Sequence, residues 1–358
     1  MIDVKGDINA TEISDSSMVF HVTYGKMDVN ANSIIISGAG NAVFTQMGGE
    51  LTINTEKDIY LKSKSTTVGA AILNNSDIDK ESIININSKN GSITIISDEG
   101  TAVSAYGSDW QTSNAVSNSN KVILSAAGDV IIQGKTAIKA NNGINENKCA
   151  KVQVAGTNIT VKGDIIADNY GNVSIGENEG FVKADITGDI EANGNSNVYI
   201  SLGSGNLEGA IKSDDTSDVS LDMEDAVWNV TGNSEVDEIT GEGLIALNVD
   251  DLDKIDEVNI SDAKNADLTV AAQQNADDIA DANAALNAMA DAVEGVSDGT
   301  VIKVRESILN GETSGILEHD GNDHSVTNIH HNDSTSTMGN MRTWQAWLLL
   351  HGVRKTAP

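Results

Sequence analysis

Short runs of alternating apolar and polar residues recur along the first 245 residues, each opened by a small polar turn. One phrase keeps its form, a turn of Gly, Asn, Asp or Ser followed by Val and then Ile or Leu: NYGNVSI (169–175), GNSNVYI (194–200), DTSDVSL (215–221) and GNSEVDEI (232–239). Its valines, Val173, Val198, Val219 and Val236, are 25, 21 and 17 residues apart. The spacing predicts a strand that returns once per repeat.

A second family of phrases lies between the first: ITVKGDIIA (159–167), ADITGDIEA (184–192) and the weaker LEGAIKS (207–213). Its glycines, Gly163, Gly188 and Gly209, are 25 and 21 residues apart, so the two families advance together. Self-similarity at a period of about 20–25 residues is typical of a solenoid.

A three- to five-residue strand cannot bury one face alone, whereas copies stacked about 4.8 Å apart complete their backbone ladders and align inward aliphatic side chains. Gly and Asn suit the corners, where left-handed backbone is needed. About ten or eleven coils would span roughly 50 Å at this rise. The predicted strands are 34–36, 51–53, 59–61, 83–86, 93–96, 122–124, 130–132, 152–154, 159–161, 173–175, 198–202, 219–221 and 227–230.

An antiparallel β-sandwich also contains short strands and frequent turns. A sandwich gives no reason for two phrase families to repeat in step, so the pattern favours the parallel solenoid.

The pattern changes after residue 249. Residues 250–298 are predicted to form an acidic connector and an amphipathic helix over 275–295, with Asn275 as N-cap and Gly295 as stop. Its apolar positions recur at spacings of three and four: Ile279, Ala282, Leu286, Met289 and Val293. Such a helix packs either on its own domain or, as a docking helix, on a partner or on the open end of the solenoid. Packing on its own domain is favoured.

Residues 299–337 are expected to be a polar junction. In the last segment, 338–358, four apolar residues follow helical spacing: Met338, Met341, Trp344 and Leu348. A stripe of this kind is normally covered by a partner or another domain.

The phrase VWNVTGNSEV (227–236) resembles one near the C-terminal end of pertactin-like bacterial autotransporter passengers, where a Trp-Asn-Val/Met-Thr strand marks the last coils of a parallel β-helix. Trp228, Asn229, Val230 and Thr231 occupy those places. The resemblance implies a secreted, surface-displayed β-helix exported by a C-terminal β-barrel, with 338–358 as the start of the helical linker to a barrel absent from this chain. The fold class expected is therefore all-β, a right-handed, pectin-lyase-like parallel β-helix over 1–249 followed by a small helical C-terminal segment.

The composition disfavours some classes of binding partner. The net charge of −31 disfavours nucleic acid and anionic membrane surfaces. Cys149 is the sole cysteine, which fits a reducing cytosol or an exported chain that crosses a membrane unfolded. No signal peptide is visible at MIDVKGDINA and no run of about 18 apolar residues occurs. We expect the chain to be a segment of a longer protein.

A carbohydrate-active β-helix enzyme, lyase or hydrolase, is the alternative function. The three arginines, Arg305, Arg342 and Arg354, follow the predicted solenoid, where they cannot serve as its lyase base. The acidic pairs at 214–215 and 250–251 are interpreted as solvated turns, because neighbouring residues on a strand face opposite ways. His21 is the sole histidine before residue 319, so a catalytic triad within the solenoid is disfavoured.

Metal sites are weakly indicated. The segment EHDGNDHSVTNIHH (318–331) holds imidazoles and carboxylates without a standard ligand spacing, and SDDTSD (213–218) lacks a calcium-loop pattern. We interpret them as a polar loop and a solvated turn, and we expect no cofactor.

The sequence therefore predicts a non-enzymatic, extracellular adhesin-type passenger on the bacterial cell surface. Its partners would be a protein or glycan of a host or neighbouring cell and its own C-terminal β-barrel. The long inter-strand segments 62–81 and 104–120 are the expected contact loops. Trp110 is a possible ligand contact, although packing beneath its loop is favoured. A cytosolic repeat scaffold is the third interpretation.

Overall fold

The structure is a computed structural model that describes residues 1–330 apart from 12–13, 15–16, 65–69, 77–79, 108–119, 144, 177–182, 249–253, 274–288, 295–298, 305–316 and 321–326. Every regular element in this part of the chain is a β-strand. The strands of the first five coils are β1 (Ile2–Asp3), β2 (Ile8–Thr11), β3 (Met18–Thr23), β4 (Lys26–Ala31), β5 (Ile34–Ala39), β6 (Asn41–Gln46), β7 (Glu50–Thr55), β8 (Ile59–Ser63), β9 (Ala70–Ser76), β10 (Ile83–Ser88), β11 (Ile93–Ser97), β12 (Thr101–Gly107), β13 (Lys121–Ala126) and β14 (Val130–Asn141).

The strands that follow are β15 (Ala150–Ala155), β16 (Asn158–Asp168), β17 (Gly171–Ile175), β18 (Lys183–Thr187), β19 (Ile190–Asn193), β20 (Asn197–Gly203), β21 (Asn206–Glu208), β22 (Ile211–Ser213), β23 (Asp218–Val230), β24 (Ser234–Asn248), β25 (Glu257–Gln273), β26 (Met289–Glu294), β27 (Thr300–Val304), β28 (Leu317–Asp320) and β29 (Thr327–His330).

Strands β1 to β25 stack in parallel as a three-sided β-solenoid. Face A begins with β1, β4 and β7, face B with β2, β5 and β8, and face C with β3, β6 and β9, each strand pairing with its counterpart one coil later. From β14 onwards a single long strand often covers two faces, and β24 and β25 each cover three, because the chain turns a corner without leaving the ladder. The prediction of a parallel solenoid is confirmed.

The interior consists of columns of aliphatic side chains, one member per coil. The longest column on face B contains eleven residues in unbroken register: Ala10, Ile36, Leu61, Ile95, Ile132, Val161, Ile186, Leu207, Trp228, Ile245 and Val270. All but Ala10 are buried. Alternation in each short strand therefore creates the core, because every inward residue rests on its equivalent in the neighbouring coil.

The repeat phrases occupy the expected places. Val173 pairs with Val198, and Val198 pairs with Val219, so these three form one file on face A. Val236 does not continue it, because it lies on face C and pairs with Ile260. That part of the alignment was wrong.

The second phrase family builds the corner between faces B and C. Gly188 has a φ of +144° and Gly163 a φ of +116°. A Cβ on Gly188 would lie 2.5 Å from the carbonyl of Gly163, and one on Gly209 would clash with the carbonyl of Gly188. The backbones stack so closely here that each coil needs glycine.

A buried polar network fixes the corner between faces C and A in the early coils. Asn74 donates to the carbonyls of Ser82 and Lys121, both at 2.8 Å, and accepts from the Thr45 hydroxyl at 3.0 Å. The amide of Ser82 donates to Asn120 Oδ1 at 3.2 Å. The side chains of Thr45, Asn74, Ser82 and Asn120 are fully buried, so these bonds replace lost hydration.

Trp228 fills its coil. Its indole lies in the face B column between Leu207 and Ile245, is 0% exposed, and donates from Nε1 to the carbonyl of Gly209 at 3.0 Å. The repeat is shorter here, and the large indole ring occupies the interior of the coil. The polar edge of the ring still has a hydrogen-bond acceptor.

The solenoid continues past residue 249, the boundary that the sequence suggested. Strand β25 pairs in parallel with β24 over almost its whole length, and Val258, Ile260, Leu268 and Val270 are buried. Residues 257–264 of the predicted acidic connector therefore belong to a coil, in which Glu257 and Lys264 are exposed and Asp262 is half-buried.

The pairing direction changes at the end of the stack. Strands β26 and β27 both pair antiparallel with β25, and they pair in turn with β29 and β28. The helix predicted over 275–295 is wrong for 289–294, which is β26, and its remaining residues lie outside the described part. The predicted polar junction contains β27, β28 and β29. Residues 338–358 also lie outside the described part.

Candidate binding face

An apolar strip runs along the outside of face B in coils 2 to 5. Ile35, Tyr60, Thr94 and Ile131 occupy the same outward position in four successive coils, and Ile96 lies in the adjacent outward column. Ile35 is 39% exposed and the others are half-buried. We call these five residues the face B strip.

The corner between faces A and B borders this strip with hydrogen-bonding groups. Asp7 Oδ1 accepts from Ser33 Oγ at 2.7 Å, Asp58 Oδ1 accepts from the Ser92 amide at 2.9 Å, and the Asp129 amide donates to Ser92 Oγ at 3.1 Å. Carboxylates therefore alternate with hydroxyls from coil to coil, which separates the negative charges by two rises.

The ladder acts on the pKa of its first member. Hydrogen bonds from the side chains of Ser33 and Asn32 lower the pKa of Asp7, because they stabilise the charged carboxylate. Asn32 Nδ2 donates to Asp7 Oδ1 at 2.7 Å. Asp7 thus presents a charged acceptor that is already oriented at neutral pH.

Open depressions flank this corner on both sides. The depression on the face B side measures about 690 Å³ and is lined by Ile35, Tyr60, Thr94, Lys57 and Asp58 among others. This depression contains three members of the face B strip. It therefore brings an aromatic ring, aliphatic surface and fixed polar groups together in one concave site.

The depression on the face A side measures about 480 Å³ and is lined by a column of amides. Asn30, Asn54 and Asn87 are in register in three successive coils, and Asn54 Nδ2 donates to Asn30 Oδ1 at 3.2 Å. Asn32 lines both depressions, so they form one surface that wraps the corner.

Ion pairs fix the surroundings of the strip. Lys62 lies 2.8 Å from Asp98 on face B, and this contact raises the pKa of the lysine. Lys89 lies 3.1 Å from Glu56 at the corner. Since such exposed pairs are worth at most about 1 kcal/mol, their role is to orient side chains more than to stabilise the fold.

A second cluster of carboxylates lies in the late coils. Burial raises the pKa of Asp237, whose Oδ2 accepts from the Val219 amide at 2.7 Å, and burial also raises the pKa of Glu235. The Gly194 amide at 2.7 Å, with Ser217 and Thr216, lowers the pKa of Asp214 to about 2. Asp214 closes a turn, as predicted for the 214–215 pair.

The remaining predicted site residues are placed as follows. Trp110 and most of the predicted contact loop 104–120 lie outside the described residues, as do Asp250 and Asp251. Within the described residues, no group of three or more His, Cys, Asp or Glu side chains could hold a metal ion, and the described parts of 318–331 belong to β28 and β29.

His21 lies on the outside of face C. Its Nε2 is 3.0 Å from Thr23 Oγ1 and 3.1 Å from Gln46 Nε2, and its ring lies 4.9 Å from that of Phe44. This exposed imidazole is hydrogen-bonded to a hydroxyl and to a side-chain amide. These contacts are typical of a surface histidine and do not form a catalytic triad.

The face B strip was missed in the sequence, although a signal was present. Runs such as SIIIS (33–37) and SITIIS (92–97) contain consecutive isoleucines. Because a strand alternates sides, one member of such a run must face outwards. The runs indicated strands and also marked exposed apolar positions.

Comparison with known proteins adds no identification. The chain matches no protein-family model, no curated protein and no solved structure. A helix long and apolar enough to cross a membrane is not found in the part of the chain that the structure describes.

Proposed function

We propose that this chain is a non-enzymatic, adhesin-type passenger segment of an autotransporter, displayed on the bacterial surface as a right-handed, pertactin-like β-helix. The unbroken eleven-residue column from Ala10 to Val270 supports this proposal, because it describes a stiff rod that can hold a surface away from a cell. The proposed family rests on the resemblance of residues 227–236 to autotransporter passengers, and the burial of Trp228 in a late coil is compatible with it.

The mechanism is presentation. Parallel ladders along three faces leave little freedom for bending, so side chains on the outside keep fixed spacings. The corner between faces A and B offers the polar and apolar groups that a cell-surface glycan or protein would contact. The export barrel and the linker at 338–358 remain parts of the proposal.

Localisation is tested by treating intact source cells with protease and detecting the chain with an antibody. We expect cleavage on intact cells. Cleavage that requires lysis would overturn surface display and favour the cytosolic scaffold.

Adhesion is tested with the purified, fluorescently labelled chain on a panel of epithelial and bacterial cells. We expect saturable binding to at least one cell type that unlabelled chain displaces and that survives 0.3 M salt. Absence of displaceable binding on every cell type would contradict the adhesin.

The carbohydrate-active enzyme remains a second candidate because carboxylates with opposed pKa shifts lie in the late coils. The pKa values of Glu235 and Asp237 are raised, whereas the pKa of Asp214 is lowered. Opposed shifts of this kind distinguish a general acid from a general base in enzymes. Two of these groups are committed to backbone amides, which favours a structural role. We expect no new reducing ends or unsaturated products from polysaccharides; product that disappears in Glu235→Gln would establish the enzyme.

A further inference from the structure

The face B strip is more than scattered surface hydrophobicity. A single exposed isoleucine is ordinary in a soluble protein. Here Ile35, Tyr60 and Thr94 occupy one outward column in three successive coils and line one concave depression. A site of this kind, apolar in its floor and edged by oriented polar groups, is typical of ligand binding.

The edge of the depression supplies hydrogen-bonding groups beside the ring of Tyr60. Asn32, Ser33 and Asp58 line it on the corner side, and Lys57 lies with them. A pyranose ring has the matching chemistry, since its C–H face packs on an aromatic or aliphatic surface while its hydroxyls bond to amides and carboxylates at the edge.

The amide column extends the same chemistry around the corner. Asn30, Asn54 and Asn87 present both donors and acceptors in register along the solenoid axis. Successive coils are about 4.8 Å apart, which is close to the length of one sugar residue in an extended chain. Three coils can therefore meet three successive sugars with equivalent groups.

The charge of the site selects among polysaccharides. The two depressions are lined by Lys5, Lys57 and Lys89 and by Asp3, Asp7, Glu56 and Asp58, which nearly balance. A polyanion would gain little electrostatic attraction at these depressions. A polycation is better matched by coils 7–11, because residues 169–273 contain 23 Asp and Glu but 4 Lys.

We propose that the A/B corner of coils 1–4 binds a neutral polysaccharide segment extended along the solenoid axis. Tyr60 stacks against a sugar ring, and Asn30, Asn54 and Asp58 hydrogen-bond its hydroxyls. This inference rests on the proposed function, since it names the class of ligand that an adhesin of this shape would hold.

The test is affinity electrophoresis of the full chain in gels that contain hydroxyethyl cellulose, mannan, laminarin or polygalacturonate. We expect at least one neutral polymer to retard the wild type, and polygalacturonate not to. Tyr60→Ala should raise the dissociation constant roughly tenfold, the effect of losing an anchor worth about 1.4 kcal/mol.

Tyr199→Ala is the matched control, because Tyr199 is also an outward, half-buried tyrosine but lies on face A of coil 8. It should bind as the wild type does. Tyr60→Phe keeps the ring and should retain binding, and equal urea midpoints for the Tyr60 variants exclude a folding defect. A Tyr60→Ala variant that proved unfolded would be replaced by Asn54→Ala, for which we expect at least a threefold loss.

Three outcomes overturn the site: no retardation by any of the polymers, retardation by polygalacturonate but by no neutral polymer, or equal binding by the wild type and both alanine variants at Tyr60 and Asn54. If labelled chain still adheres to cells in any of these cases, the inference fails and the adhesin stands. If Tyr60-dependent polysaccharide binding occurs and no cell is bound, the site stands and the adhesin fails.

Discussion

Coils 1–6, residues 1–168, and coils 7–11, residues 169–273, share one interior and have different exteriors. The face B column passes through both without interruption. The repeat, however, lengthens to 37 residues between Ile95 and Ile132 and shortens to 17 between Trp228 and Ile245. Length is added or removed between the strands, and the column keeps its register despite these changes.

Charge separates the two regions even more strongly. Residues 1–168 contain 13 Lys and 18 Asp or Glu, whereas residues 169–273 contain 4 Lys and 23 Asp or Glu, net charges of −5 and −19. Such like charges repel and destabilise a compact structure. The early coils contain an internal amide network and the late coils one large aromatic residue, whereas the tight glycine corners begin in the early coils, at Gly134 and Gly163, and continue through Gly188 and Gly209.

The largest expected effect comes from Trp228→Ala. Emptying this fully buried site should lower the free energy of unfolding by about 3–5 kcal/mol. Trp228 in β23 rests between Leu207 of β21 and Ile245 of β24, so hydrogen exchange should increase in β21, β23 and β24 while β7 to β11 stay protected. Ile132→Ala should show the opposite distribution. Equal loss of protection along the whole chain would show that the regions unfold as one unit.

Gly188→Ala tests the corner of the late coils. The new Cβ would lie 2.5 Å from the Gly163 carbonyl on a backbone with φ of +144°, so we expect a loss of about 3 kcal/mol in urea unfolding. Gly6→Ala is the control, because no atom lies within 4 Å of its Cβ position, and it should change stability by less than about 0.5 kcal/mol. Similar losses in both would exclude close stacking as the cause.

Asn74→Ala tests the amide network of the early coils. It removes the acceptor of Thr45 and the donor to two carbonyls in a fully buried position, at an expected cost of about 1–3 kcal/mol. Asn87→Ala, at an exposed position, should change the urea midpoint little. A neutral result for Asn74→Ala would mean that the network does not fix this corner.

The smallest effect is the pH response of the late coils. Asp237 and Glu235 have raised pKa values in the fold, so the folded state binds protons more tightly than the unfolded chain, and stability should rise as the pH falls from 7 towards those values. Asp214 has the opposite effect on stability, because its pKa is lowered in the fold. Its stabilising contribution is complete above pH 3.8 and is lost as the pH falls towards about 2.

Urea midpoints measured from pH 7 to 3 check both signs. Asp237→Asn keeps an acceptor for the Val219 amide and should flatten the rise in stability as the pH falls from 7, whereas Asp218→Asn, at an exposed position, should retain most of it. A wild-type stability that falls steadily over that range would contradict the assignment.

The sequence predicted faces A and B well, because repeated inward positions carry their own signal. All thirteen predicted strands lie within observed ones. Face C was largely missed, since several of its inward positions are polar or small, such as Thr45, Asn74 and Ala105. Val236 was misaligned because β24 runs around a corner without a turn, so a shared phrase does not guarantee a shared face.

The face B strip depends on register between coils that are 25 to 37 residues apart, which a single strand does not reveal. The apolar spacing of 279–293 favoured a helix, yet Met289–Glu294 pairs with β25. An available strand edge offers hydrogen bonds that local periodicity does not take into account.

The antiparallel strands β26 and β27 also have a consequence for assembly. A solenoid whose last coil is open on all sides offers a template on which an identical copy can add, coil upon coil, to form a filament. By reversing direction on two of the three faces, this end presents the wrong polarity to a second molecule. Within the residues that the structure describes, the parallel edge left for such growth is the short one at 262–264, so the reversed strands oppose end-to-end addition at this end.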